Sequence, residues 1–243
     1  MSRQLITVCV DYHDVLAITL PRNLAHVERA LVVTSPDDLR TQEVAVSAGA
    51  EVYCTDAFYR RGAHFNKGAA IEEGFDALGR EGWILHLDSD CLLPARADFG
   101  RLDSGFLYGA RRRMLPTVAD YHDSLDWRRL REIPAERQHK YMGGYFQLFH
   151  AGDPALRRRP WYPTNWKHAG GSDSEFSWKW PRSRWRWMPF EVLHIGPDAI
   201  NWCGRAVPFA DGTLPAAADD RRRALTAFLD GRVKMGSFAG EKL

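Results

Sequence analysis

The first hundred residues of this 243-residue chain alternate strand and helix signals, and that alternation limits the fold more than any other feature. Leu5–Val10 is a short apolar run rich in β-branched residues and predicts a buried strand. From Asp14 to about Val27, Leu16, Leu20, Leu24 and Val27 recur at helical spacing, with Pro21 expected to kink or shorten the helix. Ala30–Thr34 predicts a second strand. Ser35-Pro36-Asp37-Asp38 is a helix-start signal, and the helix it opens runs to Ala48 with Gly49 as its stop. Glu51–Cys54 is a third strand, Asn66–Leu78 a helix with Ile71, Phe75 and Leu78 on one face, and Trp83–Leu87 a fourth strand. Such alternation predicts an α/β fold with a mostly parallel central sheet flanked by helices. Ligands of such sheets bind beyond the C-terminal ends of the strands, where Asp11, Thr34, Asp56, Asp88 and Asp90 would gather.

The remainder of the chain is less regular. Pro154 to Pro189 is rich in Pro, Trp and Arg and predicts loops and short strands against the first half. Ala216 to Leu229 is a helix candidate, with a loose tail after it. With 45% hydrophobic and 26% charged residues the chain can bury a sizeable core, which excludes a disordered segment. The length fits a single domain over 1–243, in parts 1–100, 101–205 and 206–243. No run approaches the roughly 18 apolar residues of a membrane span, and the apolar stretch at the N-terminus is too short for a secretory signal. The four cysteines, 9, 54, 91 and 203, form no C-x-x-C pair. They read as reduced thiols of a cytoplasmic protein, not as a zinc site or a disulfide framework.

Four segments could carry chemistry. Leu85-His86-Leu87-Asp88-Ser89-Asp90 places two carboxylates just past a buried strand, a hard-oxygen site suited to Mg2+ or Mn2+ on a substrate's phosphates. The alternative is a solvated turn capped by Asp90. Lys67 lies in the first turn of a predicted helix, against the helix dipole, a placement that makes sense if an anion binds there. It could equally be a surface lysine. Gly170-Gly171-Ser172-Asp173-Ser174-Glu175 delivers two carboxylates into a basic, aromatic region, where one could serve as a general base or the segment could cap a helix. His194, inside the apolar run Val192–Ile195, is either a third metal ligand or a core histidine.

Together these segments resemble the GT-A fold glycosyltransferases, over roughly residues 5–205 and in the expected order. VCVDYHD, VVTSPDD and FNKGAAIEEGF resemble the nucleotide-binding half of that fold, and WILHLDSDCLLP its Asp-x-Asp metal motif. YMGGYFQLF resembles the segment under the donor sugar, GGSDSEFSWKW is similar to the Gly-Gly-Glu-Asp-x-Glu-Phe segment of inverting members, and VLHIG resembles a late metal-binding histidine. The resemblance implies a Rossmann-like nucleotide-sugar half (1–100), a loop-rich acceptor half (101–205) and a C-terminal helix and tail (206–243). It implies Asp11 and Thr34 near the base and ribose, Lys67 near the diphosphate, and Ser89, Gly143 and Gly144 in the donor site. Asp90 and His194 would hold Mn2+ or Mg2+, with Asp88 on the ribose or a metal water. Asp173 matches the inverting family's base. Ser172 departs from the usual Glu, which leaves Glu175 as a rival base. The activity implied is transfer of a sugar from a nucleoside diphosphate sugar, UDP-hexose by preference, to a hydroxyl, with inversion.

The acceptor is less constrained. Six of the nine tryptophans fall between Trp161 and Trp187, and 27 of the 33 basic residues are arginine. Trp178, Trp180, Arg184 and Trp202 are the candidate acceptor contacts. Aromatics among cations suit a carbohydrate, or a hydroxymethylated base in DNA as in phage-type glycosyltransferases, which would work in the host cytoplasm. At least half of the tryptophans are expected to be structural. A nucleotidyltransferase would carry a Gly-rich basic loop after the first strand, where this chain has Val10-Asp11-Tyr12-His13-Asp14. A non-catalytic nucleic-acid-binding module would leave Asp88, Asp90 and Asp173 unexplained. No obligate protein partner is visible.

Overall fold

The computed structural model describes residues 2–133, 142–197 and 200–234, with side chains as far as residue 230. Tyr141 of the YMGGYFQLF segment and the tail after 234 lie outside the described residues.

Four parallel strands form one half of the sheet: β1 (Arg3–Val8), β2 (Arg29–Thr34), β3 (Glu51–Cys54) and β4 (Trp83–Leu87), in spatial order β3-β2-β1-β4. The helices between them are α1 (His13–Asn23), α2 (Leu39–Ala48) and α3 (Lys67–Leu78). Strand side chains alternate between faces. Leu5, Val32 and Leu85 therefore pack with Leu16 and Leu20 of α1 and Ala45 of α2. Ile6, Leu31, Val33 and Ile84 pack with Ile71 and Phe75 of α3 on the opposite face. Local chemistry sets the helix ends. Asp38 accepts from Thr41 N at 3.2 Å and Asn66 Oδ1 from Ala69 N at 3.0 Å, both as N-caps. Gly49 and Gly79 end α2 and α3 in the left-handed region, at φ 91° and 97°. Pro21 sits in the last turn of α1, which stops at Asn23, and Leu24–His26 continues as a single 3₁₀ turn.

The same sheet continues into the second half. β5 (Cys91–Leu92) follows the Asp-x-Asp turn, and β6 (Leu107–Leu115) pairs at its far end with β7 (Arg131–Glu132). β8 (Phe146–His150) lies antiparallel to both β4 and β6. A short helix, α4 (Ser172–Ser177), precedes β9 (Trp185–Ile195), which runs parallel to β6 and antiparallel to β5. The full order is β3-β2-β1-β4-β8-β6-β9-β5. The parallel half is as expected, whereas the second half is mixed and holds the two longest strands, β6 and β9, which the sequence reading did not foresee. α5 (Ala218–Lys234) closes the described chain. It returns to the first half, where Arg221 pairs with Asp11 at 2.7 Å.

β1 and β4 are neighbours, but their connecting helices lie on opposite faces of the sheet. Such a reversal opens a crevice at the strands' C-terminal ends.

Candidate functional site

That crevice is a cavity of about 430 Å³. Lys67, Asp88, Ser89, Asp90, Gly143, Gly144, Asp173, His194 and Trp202 all line it, although they come from positions up to 135 residues apart in the chain.

The Asp-x-Asp turn is held from several sides. Thr19 Oγ1 of α1 donates to Ser89 O at 2.6 Å, and Asn23 of the same helix grips β5 through Cys91 O (2.8 Å) and Leu93 N (2.9 Å). Ile195 N donates to Asp90 O at 2.8 Å. Asp90 is thereby set opposite His194, whose Nε2 lies 3.6 Å from Asp90 Oδ2. His194 Nδ1 is buried with no hydrogen-bond partner. Cys91 offers a thiol within 4.8 Å of both, but that side chain belongs to the apolar core.

Lys67 reaches the turn from the start of α3 and forms an ion pair with Asp88. Close packing sets the start of this helix: a Cβ on Gly68 would lie 2.0 Å from Pro163 O. Burial pulls the Lys67 ammonium down, but Asp88, Asp173 and Asp90 together outweigh it and hold the group above the ordinary lysine value. Burial pushes the Asp88 carboxyl up and Asp90 adds to this, against the pull of Lys67. His86, two residues earlier on β4, is held well below the ordinary imidazole value by burial and by Lys67. It is neutral, so its 3.8 Å approach to Asp88 Oδ1 is not an ion pair.

Asp173 enters from the opposite wall. Its Oδ2 accepts from Gly144 N at 2.8 Å and its Oδ1 from Ser174 N at 2.9 Å. Two oxygens carry about four lone pairs, so acceptor capacity remains towards the cavity. Asp173 does not cap α4, since Gly171 occupies that position at φ 112°. Glu175, two residues on, is exposed, accepts from Trp166 Nε1 at 3.0 Å, and is not a cavity residue.

Other expected site residues lie elsewhere. Asp11 is outside the cavity lining; its carboxylate is engaged by Arg221 and its N–H by Asp38 (2.7 Å). Thr34 is buried, with its hydroxyl 3.5 Å from Asp38. Trp180 is 1% exposed and donates to Asp153 Oδ2 at 2.9 Å, so its ring has no face left for an acceptor. Trp178 is 62% exposed and Arg184 borders a separate hollow beside His150; neither lines the cavity. Of the four candidate acceptor contacts, Trp202 alone is a cavity residue, and Gly170 allows its approach: a Cβ there would meet the indole at 2.9 Å.

No protein family matches the chain, and no curated protein does. Solved structures similar to it include mannosyl-3-phosphoglycerate synthase from Rubrobacter xylanophilus, at 19% identity over 47% of this chain and 41% of that one, with a TM-score of 0.35. Another is glucosyl-3-phosphoglycerate synthase from Mycobacterium tuberculosis in complex with Mn2+, uridine-diphosphate-glucose and phosphoglyceric acid, at 17% over 46% and 44%, TM-score 0.34. A third, described as a mycobacterial protein, covers 95% of this chain and 74% of that one at 15% identity and TM-score 0.49. The chain thus spans less than half the length of either synthase. Likenesses this distant assign no chemistry, which has to come from the cavity itself.

The cavity also holds residues that the sequence reading missed. Tyr12 and Arg112 line it, and the Arg112 guanidinium lies 4.5 Å from the centre of the Tyr145 ring. Burial and the Asp90 charge raise the Tyr12 phenol well above its ordinary value. Gln147 and His86 lie directly behind the cavity wall, opposite one another in the β4–β8 register. His86 is the lone polar residue of the apolar β4, and Gln147 sits between Phe146 and Leu148 in β8, and that was the available signal.

Proposed function

We propose that this chain is a metal-assisted glycosyltransferase that moves a sugar from a nucleoside diphosphate sugar, with UDP-hexose as the favoured donor, to a hydroxyl acceptor with inversion. The observation that carries the reading is the convergence of Lys67, Asp88, Asp90, Asp173 and His194 on one cavity at the sheet's switch point. The carboxylates there suit a divalent cation, and that cation with Lys67 supplies the counter-charge for a diphosphate.

The residues fit a divalent metal. Asp90 Oδ2 and His194 Nε2 lie 3.6 Å apart on the cavity lining, close enough for one ion to take both. A mixed oxygen and nitrogen donor set favours Mn2+ over Mg2+, which prefers oxygen alone. Asp90 and His194 would hold the ion, with Asp88 on a metal water or the ribose. When bound, the ion supplies Lewis-acid charge for the departing diphosphate.

The chain's own groups do the rest. The Lys67 ammonium, firmly protonated, exchanges part of its contact with Asp88 for a phosphate oxygen. Asp173, steadied by two backbone N–H groups, removes the proton of the acceptor hydroxyl as that oxygen attacks the sugar carbon in line with the leaving diphosphate. Trp202 offers an aromatic wall against which an acceptor can stack. Of the candidate acceptor contacts Trp202 is on the cavity while the cationic one, Arg184, is not, which favours a carbohydrate or small hydroxyl acceptor over hydroxymethylated DNA.

Asp173→Asn tests the assignment. Transfer falls by about 10²–10⁴-fold, the range of a lost general base, while donor affinity, read by titration calorimetry with Mn2+, stays within about twofold. Transfer that survives in this variant places the base elsewhere.

A further inference from the structure

Gln147 is fully buried, at 0% exposure, in a strand whose neighbours Phe146, Leu148 and Phe149 are apolar. A buried amide costs free energy unless its hydrogen bonds are made, so its partners reveal its role. Nε2 donates to Met142 O at 2.7 Å and to Asp173 O at 3.2 Å. Oε1 accepts from the Tyr162 hydroxyl at 2.8 Å, with His86 Nδ1 at 3.4 Å. The two carbonyls can only accept, so they fix which way the amide points, and its oxygen is left to take the Tyr162 hydroxyl.

Those carbonyls belong to the two segments that meet across the cavity. One leads into Gly143 and Gly144, and the other is the first turn of α4, which carries Asp173. The segments meet again at the cavity surface, where Gly144 N donates to Asp173 Oδ2. There is no slack between them, since a Cβ on Gly144 would lie 2.7 Å from Asp173 Cβ.

We infer that Gln147 is a positioning residue that holds the Asp173 carboxylate in place by tying the backbone at 173 to the backbone at 142. Its catalytic consequence rests on the reading of Asp173 as the base, but the tie can be measured apart from catalysis. A core amide with no such role would alter overall stability alone. A tie alters local order at Gly144 and Ser174, and turnover without donor affinity.

The test compares wild type with Gln147→Leu and the milder Tyr162→Phe, which removes the hydroxyl that donates to the amide oxygen and so loosens the amide without deleting it. Amide hydrogen exchange, thermal melting and steady-state kinetics are read on each. In Gln147→Leu the Gly144 and Ser174 amides exchange at least about 10-fold faster while β1 and β4 are unchanged. The kcat falls by about 10–100-fold, the cost of misplacing a reacting group by up to an ångström, and the donor KM stays within about threefold. Tyr162→Phe shows the same pattern, more weakly, and decides the matter if Gln147→Leu does not fold. Unchanged exchange at Gly144 and Ser174 in a folded variant overturns the tie. So does a loss of kcat that merely tracks a fall in melting temperature. If the wild type transfers no sugar from any donor, the base reading fails on its own, and the exchange data still decide whether Gln147 makes the tie.

Discussion

Asp173 takes one backbone N–H on each oxygen, and one of those donors is Gly144 N. A side chain at position 144 would collide with the Asp173 Cβ at 2.7 Å, and neither backbone can retreat easily. Gly144→Ala is therefore expected to displace the carboxylate. We predict a transfer rate down by about 100-fold, as for a reacting group misplaced by an ångström, with a stability cost of only about 1–3 kcal/mol, typical of overpacking. Equal rates in the two proteins, measured with saturating donor, would mean that the Asp173 position is not critical. At the same scale, the sequence shows the kinds of residue present but not their surroundings. Asp88 and Asp90 drew notice as carboxylates just past an apolar strand, Asp173 as one behind a Gly pair and His194 as a polar residue inside an apolar run; each had a structural alternative, and the fold brings all four to one cavity. Trp178 and Trp180 look alike in sequence, yet one lies on the surface and the other in the core. Only the packing of α4 against β8 and β9 decides between them.

At the scale of elements, legibility follows the period of the apolar pattern. The Trp83–Leu87 strand has the limits predicted from its apolar run. The Asn66–Leu78 helix begins one residue later than predicted, because Asn66 is its cap. β6 was not read because three arginines interrupt it. Arg111 is exposed, Arg112 lines the cavity, and Arg113 is neutralised by Glu191 at 2.9 Å and Glu132 at 3.4 Å. The register with β9 also shifts between Gly109 and Arg111, which breaks a strict two-residue period. β9 was obscured by its Trp-Arg-Trp start, which had suggested a binding surface. Trp185 and Trp187 instead pack against the core, with Arg186 exposed between them, the alternation of a strand with one face buried. Helix α3 gives the prediction at this scale. A Cβ on Gly74 would lie 2.6 Å from Val33 Cγ2 and 2.7 Å from Ile6 Cδ1. Gly74→Ala should therefore lower stability by about 1–3 kcal/mol despite alanine's better helix propensity. Urea denaturation checks this; a stabilised variant would show that α3 can move off the sheet.

Across the whole molecule, the C-terminal segment fastens onto the first half chiefly through Arg205. This side chain is 2% exposed, pairs with Asp14, donates to Asp11 O at 3.0 Å, and lies between the Tyr12 and Phe209 rings. It secures the segment that brings Trp202 to the cavity, and it braces Tyr12 on the opposite side. Asp14→Asn leaves the guanidinium buried without its charge partner, so a loss of about 3–5 kcal/mol is expected. The pH dependence follows from the same pair. Burial raises the Asp14 pKa, but the hydrogen bonds and charge of Arg205 outweigh it, so in the folded protein it lies below the ordinary value. The pair's contribution is therefore complete above the unfolded carboxylate pKa of about 3.9. It is lost as pH falls below that value and through the folded pKa. Wild type and Asp14→Asn should accordingly converge in stability in acid and differ most near neutrality. A constant difference from neutral pH to pH 2 would contradict this assignment.

If the cavity at the switch point works as proposed, it binds a divalent metal and a nucleoside diphosphate sugar together, and the bond broken is the one between the diphosphate and the sugar's anomeric carbon. The most direct measurement is release of nucleoside diphosphate from a panel of sugar nucleotides, with Mn2+ or with chelator, by wild type and Asp90→Ala. Release is expected from at least one donor, UDP-hexose first; chelator stops it and Asp90→Ala lowers it by at least about 100-fold, the loss of several kcal/mol of metal stabilisation. No release and no binding with any donor, or release that Asp90→Ala leaves intact, would contradict the proposed function.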